Sequence, residues 1–287
     1  MISLGIVCGL IVMLLWGIAD FLLSVPTRKI GALKTMFIQN LFGATITLVF
    51  LFLFLSHPFQ LTLRNFLIIF IGGVADVLAM YFFYRSFEIG EVSIVSPVSG
   101  SYSLVTVVLS FILLGEILAW YNYVGIVLII IGIILTSTDI RKLKSFHAVK
   151  GIPESIAAMV LWGFYFFLIA GLSKEMDAIS LFFFTGLTNS IIVLVFLLLK
   201  RNVPLKAEFL NKKILIIMII CTVFYNIAWL FMTYGATIAQ MSLLAPISSL
   251  YPAVTIILAV IFLKEKLILN QKIGIAMILV SLFLLSI

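Results

Sequence analysis

The sequence predicts an all-α integral membrane protein, with ten transmembrane helices in two inverted five-helix repeats. Three observations carry that expectation. The 287-residue chain is 64% hydrophobic and 10% charged, with a mean hydropathy of +1.33. A soluble domain of this length needs far more polar surface to cover its core. Ten apolar segments, each long enough to cross about 30 Å of hydrocarbon as a helix, follow one another with short connections. Finally, residues 93–137 and 242–286 align without a gap at a shift of 149 and share about a third of their residues. Pro97/Pro246, Ser99/Ser248, Tyr102/Tyr251, Thr106/Thr255, Glu116/Glu265 and Gly125/Gly274 match in a way that apolar composition does not explain. The chain is a duplication.

The segments lie at roughly 3–25, 33–56, 65–86, 91–114, 120–138, 153–173, 178–199, 212–236, 241–263 and 269–287. Helices are expected because backbone groups in lipid must be satisfied within the segment, and no alternating barrel pattern is present. The first segment lacks a basic leader and a small-residue cleavage site, so it reads as a span rather than a signal peptide. Residues 139–152 form a basic connecting loop between a first unit, 1–138, and a second, 153–287. Five helices per unit is an odd number, so the two units enter the membrane in opposite orientation.

The net charge of +7 sets orientation here rather than nucleic-acid binding. All of the 18 Lys and Arg except Arg64 and Lys174 fall on one side of the predicted topology. The positive-inside rule then places both termini outside a cell membrane. Trp120, Tyr121 and Tyr123 fall in an outer loop, where an interfacial aromatic belt is expected. Cys8 and Cys221 lie in apolar runs with no Cys or His spaced as metal partners, which makes them packing residues. Neither a metal nor a cofactor is implied.

Of eleven acids, only Asp20 and Asp76 lie inside spans, about 9 Å and about 14 Å from the inner ends of their helices. An intramembrane acid costs several kcal/mol unless it faces a polar cavity or a partner, and no Lys or Arg lies at either depth. Each is therefore a candidate for binding a proton or a cationic group, or else a staple between helices. In the fourth segment Ser96, Ser99, Ser103, Thr106 and Ser110 share one face. The matching face of the ninth is Ala245, Ser248, Pro252, Thr255 and Ala259. Close helix packing explains much of this seam. It explains less well Tyr102/Tyr251 beside Pro97/Pro246, where a bend is expected. Thr222, Asn226, Trp229 and Thr233 line one face of the eighth segment, and Asn226 needs partners in lipid. Gln39, Asn40, Thr188 and Asn189 serve equally well as interhelical bonds or ligand contacts. Trp16-Gly17 and Trp162-Gly163 form a shorter repeat at a shift of 146. Hydrolase, zinc-protease and nucleotide-binding motifs are absent, and the contexts Ala19-Asp20 and Ala75-Asp76 do not match those of intramembrane aspartyl proteases.

These residues resemble the drug/metabolite transporter superfamily, and most closely its branch with two EamA domains. Pro97, Gly115-Glu116 and Gly125, then Pro246, Glu265 and Gly274, are similar to the end of each such domain. The two Trp-Gly pairs are similar to its beginning. The resemblance implies a basket-like bundle with alternating access, a central cavity lined mainly by helices 1, 3, 4, 6, 8 and 9, and helices 5 and 10 as scaffold. Many bacterial members have basic termini placed inside, whereas the charge pattern here argues the reverse. Residues and resemblance together imply a secondary transporter, embedded among membrane lipids, for a small-molecule substrate that is polar or amphipathic. Asp76, with Asp20, would bind a proton or a cationic group. Ser99, Tyr102, Asn226, Ser248 and Tyr251 would supply neutral contacts, and Trp162 with Tyr165 an aromatic wall. Two alternatives stay open: an intramembrane enzyme using Asp20 and Asp76, and a receptor or scaffold that transports nothing.

Overall fold

The computed structural model describes residues 4–54, 56–114, 119–137, 149–199, 211–238 and 248–284. Gly115, Glu116, most of the connecting loop, Lys200, Arg201, Lys206 and Pro246 lie outside them, as does the side chain of Ser110. The described residues fold into helices alone: α1 (Leu4–Ile30), α2 (Ala32–Leu53), α3 (Leu63–Ile89), α4 (Val92–Gly100), α5 (Tyr102–Leu114), α6 (Trp120–Ser137), α7 (Ile152–Leu172), α8 (Ala178–Leu199), α9 (Lys212–Ile238), α10 (Tyr251–Leu258, running on through a π-helical turn, Ala259–Leu263) and α11 (Leu269–Leu284). Seven stretches are long and apolar enough to cross a membrane: α1, α2, α3, α4 with α5, α7, α8 and α9. α6, α10 with its π turn, and α11 are shorter apolar helices. Where the sequence suggests ten full spans, the described helices are thus seven full-length and three shorter.

Boundaries follow local chemistry. α1 runs past Pro26 and stops at Gly31, whose φ of 87° only glycine adopts without strain. The first N–H of α2, on Ala32, then donates to Glu88 at 3.0 Å, so the end of α3 caps the start of α2. Thr62 caps α3 by accepting from the Asn65 N–H at 3.1 Å. The fourth segment breaks not at Pro97 but at Ser101, where the hydroxyl donates to the Pro97 carbonyl at 2.7 Å. There the ring of Pro252 lies hard against Gly100, so α4 and α10 meet at this break.

The helices pair across the chain's two halves. α1 runs antiparallel to α9: Ala19 meets Cys221, while Cys8 and Val12 share a cluster with Ala228 and Met232. α3 runs antiparallel to α7, with Gly72 against Tyr165 and Ile69 clustered with Ile169 and Leu172. α2 packs on α8 and α6 on α11, the latter through Ile129, Ile278 and Leu282. Two contacts repeat each other. The Thr255 hydroxyl donates to the Gly17 carbonyl at 3.1 Å, and the Thr106 hydroxyl to the Gly163 carbonyl at 3.0 Å. In both, a residue of one half closes on the matching residue of the other.

Large apolar side chains such as Leu14, Phe52, Phe70, Ile112, Leu198 and Ile261 face outward, while Asp20, Thr35, Gln39, Ser96, Ser99, Thr222 and Thr255 are buried. That distribution suits a lipid surround and inverts the pattern of a soluble protein. Cys8 and Cys221 are free and buried, as packing residues are expected to be. Trp120 and Tyr123 are exposed at the start of α6.

The loops gather at two ends. At one, Arg28 donates to the Gly90 carbonyl at 2.9 Å and pairs with Glu265 at 2.7 Å. At the other, His57 meets Asp177 at 3.0 Å and Arg64 meets Glu175 at 2.6 Å. Asp177 also caps α8 by accepting from the Ser180 N–H at 2.9 Å. Partial burial alone would push its carboxyl up, but the Ser180 amide and His57 outweigh that and hold it below the ordinary 3.8. Asp177→Ala is expected to cost about 1 kcal/mol near neutral pH, the usual cost of losing a cap. A carboxyl held low stabilises the fold above its unfolded value, and that contribution is lost as pH falls through the lower, folded one. The gap between wild type and Asp177→Asn should therefore be full near neutrality and shrink below pH 3.8, as read by thermal unfolding at several pH values.

Candidate functional site: a polar cavity between the two halves

A cavity of about 230 Å³ lies in the middle of the bundle. α1 supplies Trp16 and Asp20 to its wall, one helical turn apart and so on one face. From α3 come Asp76, Met80, Phe83 and Tyr84. α7 adds Trp162, Tyr165 and Phe166, and α9 adds Tyr225, Asn226 and Trp229. The short helices α5 and α10 contribute one tyrosine each at their first residues, Tyr102 and Tyr251. The expected lining omits two walls. α2 provides Gln39, Asn40, Gly43 and Thr47, and α8 provides Thr185, Gly186, Asn189, Ser190 and Val193. α6 and α11 line none of it, as scaffold helices would not.

The two acids are held differently. Asp76 has both oxygens occupied: Trp162 Nε1 donates to Oδ1 at 2.8 Å and Asn189 Nδ2 to Oδ2 at 2.6 Å. Asp20 accepts from the Tyr225 hydroxyl on Oδ1, while its Oδ2 is buried and has no hydrogen-bond partner. Asp20 and Asp76 both belong to the first half, and each of these three donors sits on the second. The carboxyls do not bond to each other; each is a separate clasp, α1 to α9 and α3 to α7 and α8.

Further polar links surround them. Thr222 donates to Gln39 at 3.0 Å, Asn40 to the Ser190 carbonyl at 3.2 Å, and Trp229 Nε1 to Thr185 at 3.2 Å. The aromatic side is continuous: Tyr251 and Phe166 meet Trp16 edge-on at 5.9 and 6.2 Å, and Tyr102 stacks on Phe166 at 4.4 Å. Among the described residues, no Lys, Arg or His lines the cavity. Among the described residues, no group of three or more His, Cys, Asp or Glu could hold a metal ion.

Of the residues singled out from sequence, Asp20, Asp76, Tyr102, Trp162, Tyr165, Asn226 and Tyr251 come together on this one surface. Ser99 and Ser248 do not. Ser99 is fully buried and turns its hydroxyl back to the carbonyls of Val95 and Ser96, both at 3.0 Å, and Ser248 is buried off the cavity. Their seam packs helices. Arg85, near the end of α3, is paired with Glu88 at 2.8 Å. Tyr225, Tyr84 and Phe166 were missed, although Tyr225 and Phe166 adjoin the singled-out Asn226 and Tyr165. The sequence holds one signal for α2 and α8: Asn40 and Asn189 stand 149 residues apart, the shift of the long repeat.

Helices with apolar outer faces around an acid-bearing interior cavity mark an integral membrane protein with an internal site rather than a soluble binder. Sequence comparison agrees: the EamA-like transporter family matches residues 3–138 and again 149–287. The chain belongs to that family and is a membrane transporter of the drug/metabolite transporter superfamily. A relative of Methanocaldococcus jannaschii, itself uncharacterized, is 36% identical over 102 residues, covering 36% of this chain and 72% of its own length. That relative is about half as long as this chain. A solved crystal structure of another protein aligns over 98% of this chain and 95% of its own, with a TM-score of 0.67 and 14% identity, a likeness of fold alone.

Proposed function

We propose that this transporter carries a small polar or amphipathic metabolite by alternating access, with the central cavity as its cargo site. One observation carries the reading: both halves build the cavity, and the bonds to its acids, Trp162 and Asn189 to Asp76 and Tyr225 to Asp20, run from one half to the other. A proton or cation arriving at either carboxyl competes with those donors, so occupancy and the contact between halves are linked. Ten helices in two inverted repeats, 1–138 and 153–287, give such a device. α1 ends and α7 begins at the end of the bundle that carries Arg28 and Gly151, so the two first helices run in opposite senses. Rocking of one half against the other would open the cavity to each side in turn. The charge pattern favours both termini outside, in a cell membrane.

Cargo contacts fall to Asp20, Asp76, Tyr102, Trp162, Tyr165, Asn226 and Tyr251, and Asp76 couples proton movement to cargo. Asp76→Asn replaces a charged acceptor by an amide that cannot accept from both Trp162 and Asn189. A hydrogen bond to a charged group is worth about 2 kcal/mol, or about thirtyfold. Proton-gradient-driven uptake into sealed proteoliposomes should fall by about that factor, in protein whose thermal unfolding shows it still folded. Full rate with unchanged pH dependence would remove Asp76 from the coupling role. The rival reading, an intramembrane enzyme, requires a chemically altered product in detergent with no gradient.

A further inference from the structure

The unoccupied acceptor on Asp20 carries more than the general reading. Asp20 is 2% exposed, lines the cavity, and has one oxygen with no partner, whereas both oxygens of Asp76 are taken. A buried acceptor left unpaired costs about 1–3 kcal/mol, so a donor brought by a ligand recovers that cost. Among the described residues, no basic side chain reaches the cavity to serve instead. One turn below Asp20, Trp16 begins the aromatic wall that continues through Tyr251, Phe166 and Tyr102. Aromatic faces attract a cation and pack its apolar body.

We infer that the cargo is a small organic ammonium bearing at least one N–H, which docks at the Asp20 carboxylate with its apolar body against Trp16 and Phe166. This rests on the cavity being the cargo site. Four features decide the chemistry. Two acids without a basic partner exclude a carboxylate or phosphate as the group bound here. The dispersed acids, each with its own donors, do not form a divalent-metal site. The orphaned oxygen requires a hydrogen-bond donor, which a quaternary ammonium lacks. The volume of about 230 Å³ limits the body to a single ring or short chain. Asp76, whose two oxygens are taken by Trp162 and Asn189, offers the N–H no free acceptor and keeps the proton-coupling role.

The test is a ligand series of nearly constant shape on the purified full-length protein in detergent, read by the shift in thermal unfolding. Phenethylammonium should stabilise wild type. Its N,N,N-trimethyl analogue, 2-phenylethanol and phenylacetate should not. Asp20→Asn should weaken the phenethylammonium effect by about thirtyfold in apparent affinity, and Glu175→Gln, in the exposed ion pair at the bundle's end, should leave it intact. The wild-type series decides the matter even if Asp20→Asn fails to fold. Equal stabilisation by the trimethyl analogue or the alcohol, stronger stabilisation by phenylacetate, or none by phenethylammonium overturns the inference. Asp20-dependent binding in detergent, with no phenethylammonium flux in sealed vesicles, supports the site and overturns the transport role. Flux of another metabolite that phenethylammonium does not inhibit leaves transport standing and overturns the inference.

Discussion

Alanine at Gly163 is expected to lower the stability of this protein by about 1–3 kcal/mol, the usual cost of overpacking a well-packed contact. A Cβ there would sit 2.4 Å from Val105 Cβ and 2.7 Å from the Tyr102 carbonyl oxygen. The second of these atoms is backbone, so no rotamer change relieves the overlap, and α5 must move away from α7. That movement stretches the Thr106 bond to the Gly163 carbonyl, and it displaces Tyr102, a cavity wall. Gly17→Ala should behave alike, with overlaps of 2.5 Å to Val254 Cβ and 2.7 Å to the Tyr251 carbonyl. Gly171 is the control, since a Cβ there meets nothing within 4 Å. Its alanine variant should be neutral or gain up to about 1 kcal/mol from helix propensity. Thermal unfolding of the three variants in one detergent would show the contrast. A neutral Gly163→Ala would mean that the α5–α7 approach is looser than described.

Glu265→Ala is expected to cost about 3 kcal/mol or more. Its carboxylate pairs with Arg28 and accepts from the Val92 N–H at 3.1 Å, the Ser93 N–H at 2.8 Å and the Ser93 hydroxyl at 2.6 Å. It thereby caps α4, whose own N-cap residue, Glu91, makes no side-chain cap bond. Burial and the nearby Glu265 carboxylate push the Glu91 carboxyl up, with Arg28 acting against them. Removing Glu265 takes a charged acceptor from the first N–H groups of α4 and from the Ser93 hydroxyl, at the positive end of that helix, and the loss of these bonds accounts for about 3 kcal/mol, while Arg28 keeps the Phe87 and Gly90 carbonyls. Arg28→Ala should cost less, because Glu265 keeps its three donors on α4. Unfolding midpoints that rank Arg28→Ala as the worse variant would refute this ordering.

The segments, the duplication and the apolar exterior were legible because lipid imposes length and composition on each helix. Inward direction was less legible. Asp20 and Asp76 announce themselves, since charge in a span is rare. Tyr225 and Phe166 do not, because an aromatic in an apolar helix suits lipid, core and cavity equally. The serine seam misled at Ser99 because spacing of 3 and 4 marks any packed face, and a hydroxyl can satisfy itself on its own helix. Pro97 suggested a bend, but the helix runs on through it. The break fell four residues later, at Ser101, where a side-chain bond to the Pro97 carbonyl and the Pro252 ring fix it. The part played by α2 and α8 escaped because Gln39, Asn40 and Asn189 read equally as glue, and they both bond across helices and line the cavity.

The pairing of α1 with α9 has a consequence for how the chain is made. The Tyr225 hydroxyl that meets Asp20 lies 205 residues further along, and Thr255, which closes on Gly17, lies 238 residues further along. α1 therefore enters the bilayer while most of its eventual neighbours are still unsynthesised. Asp20 must wait there without its donor, and the face around Gly17 without its lid. Contacts of such long sequence separation form late and slowly. The nascent first half thus stays incomplete at Asp20 until α9 is made, and at Gly17 until α10 follows.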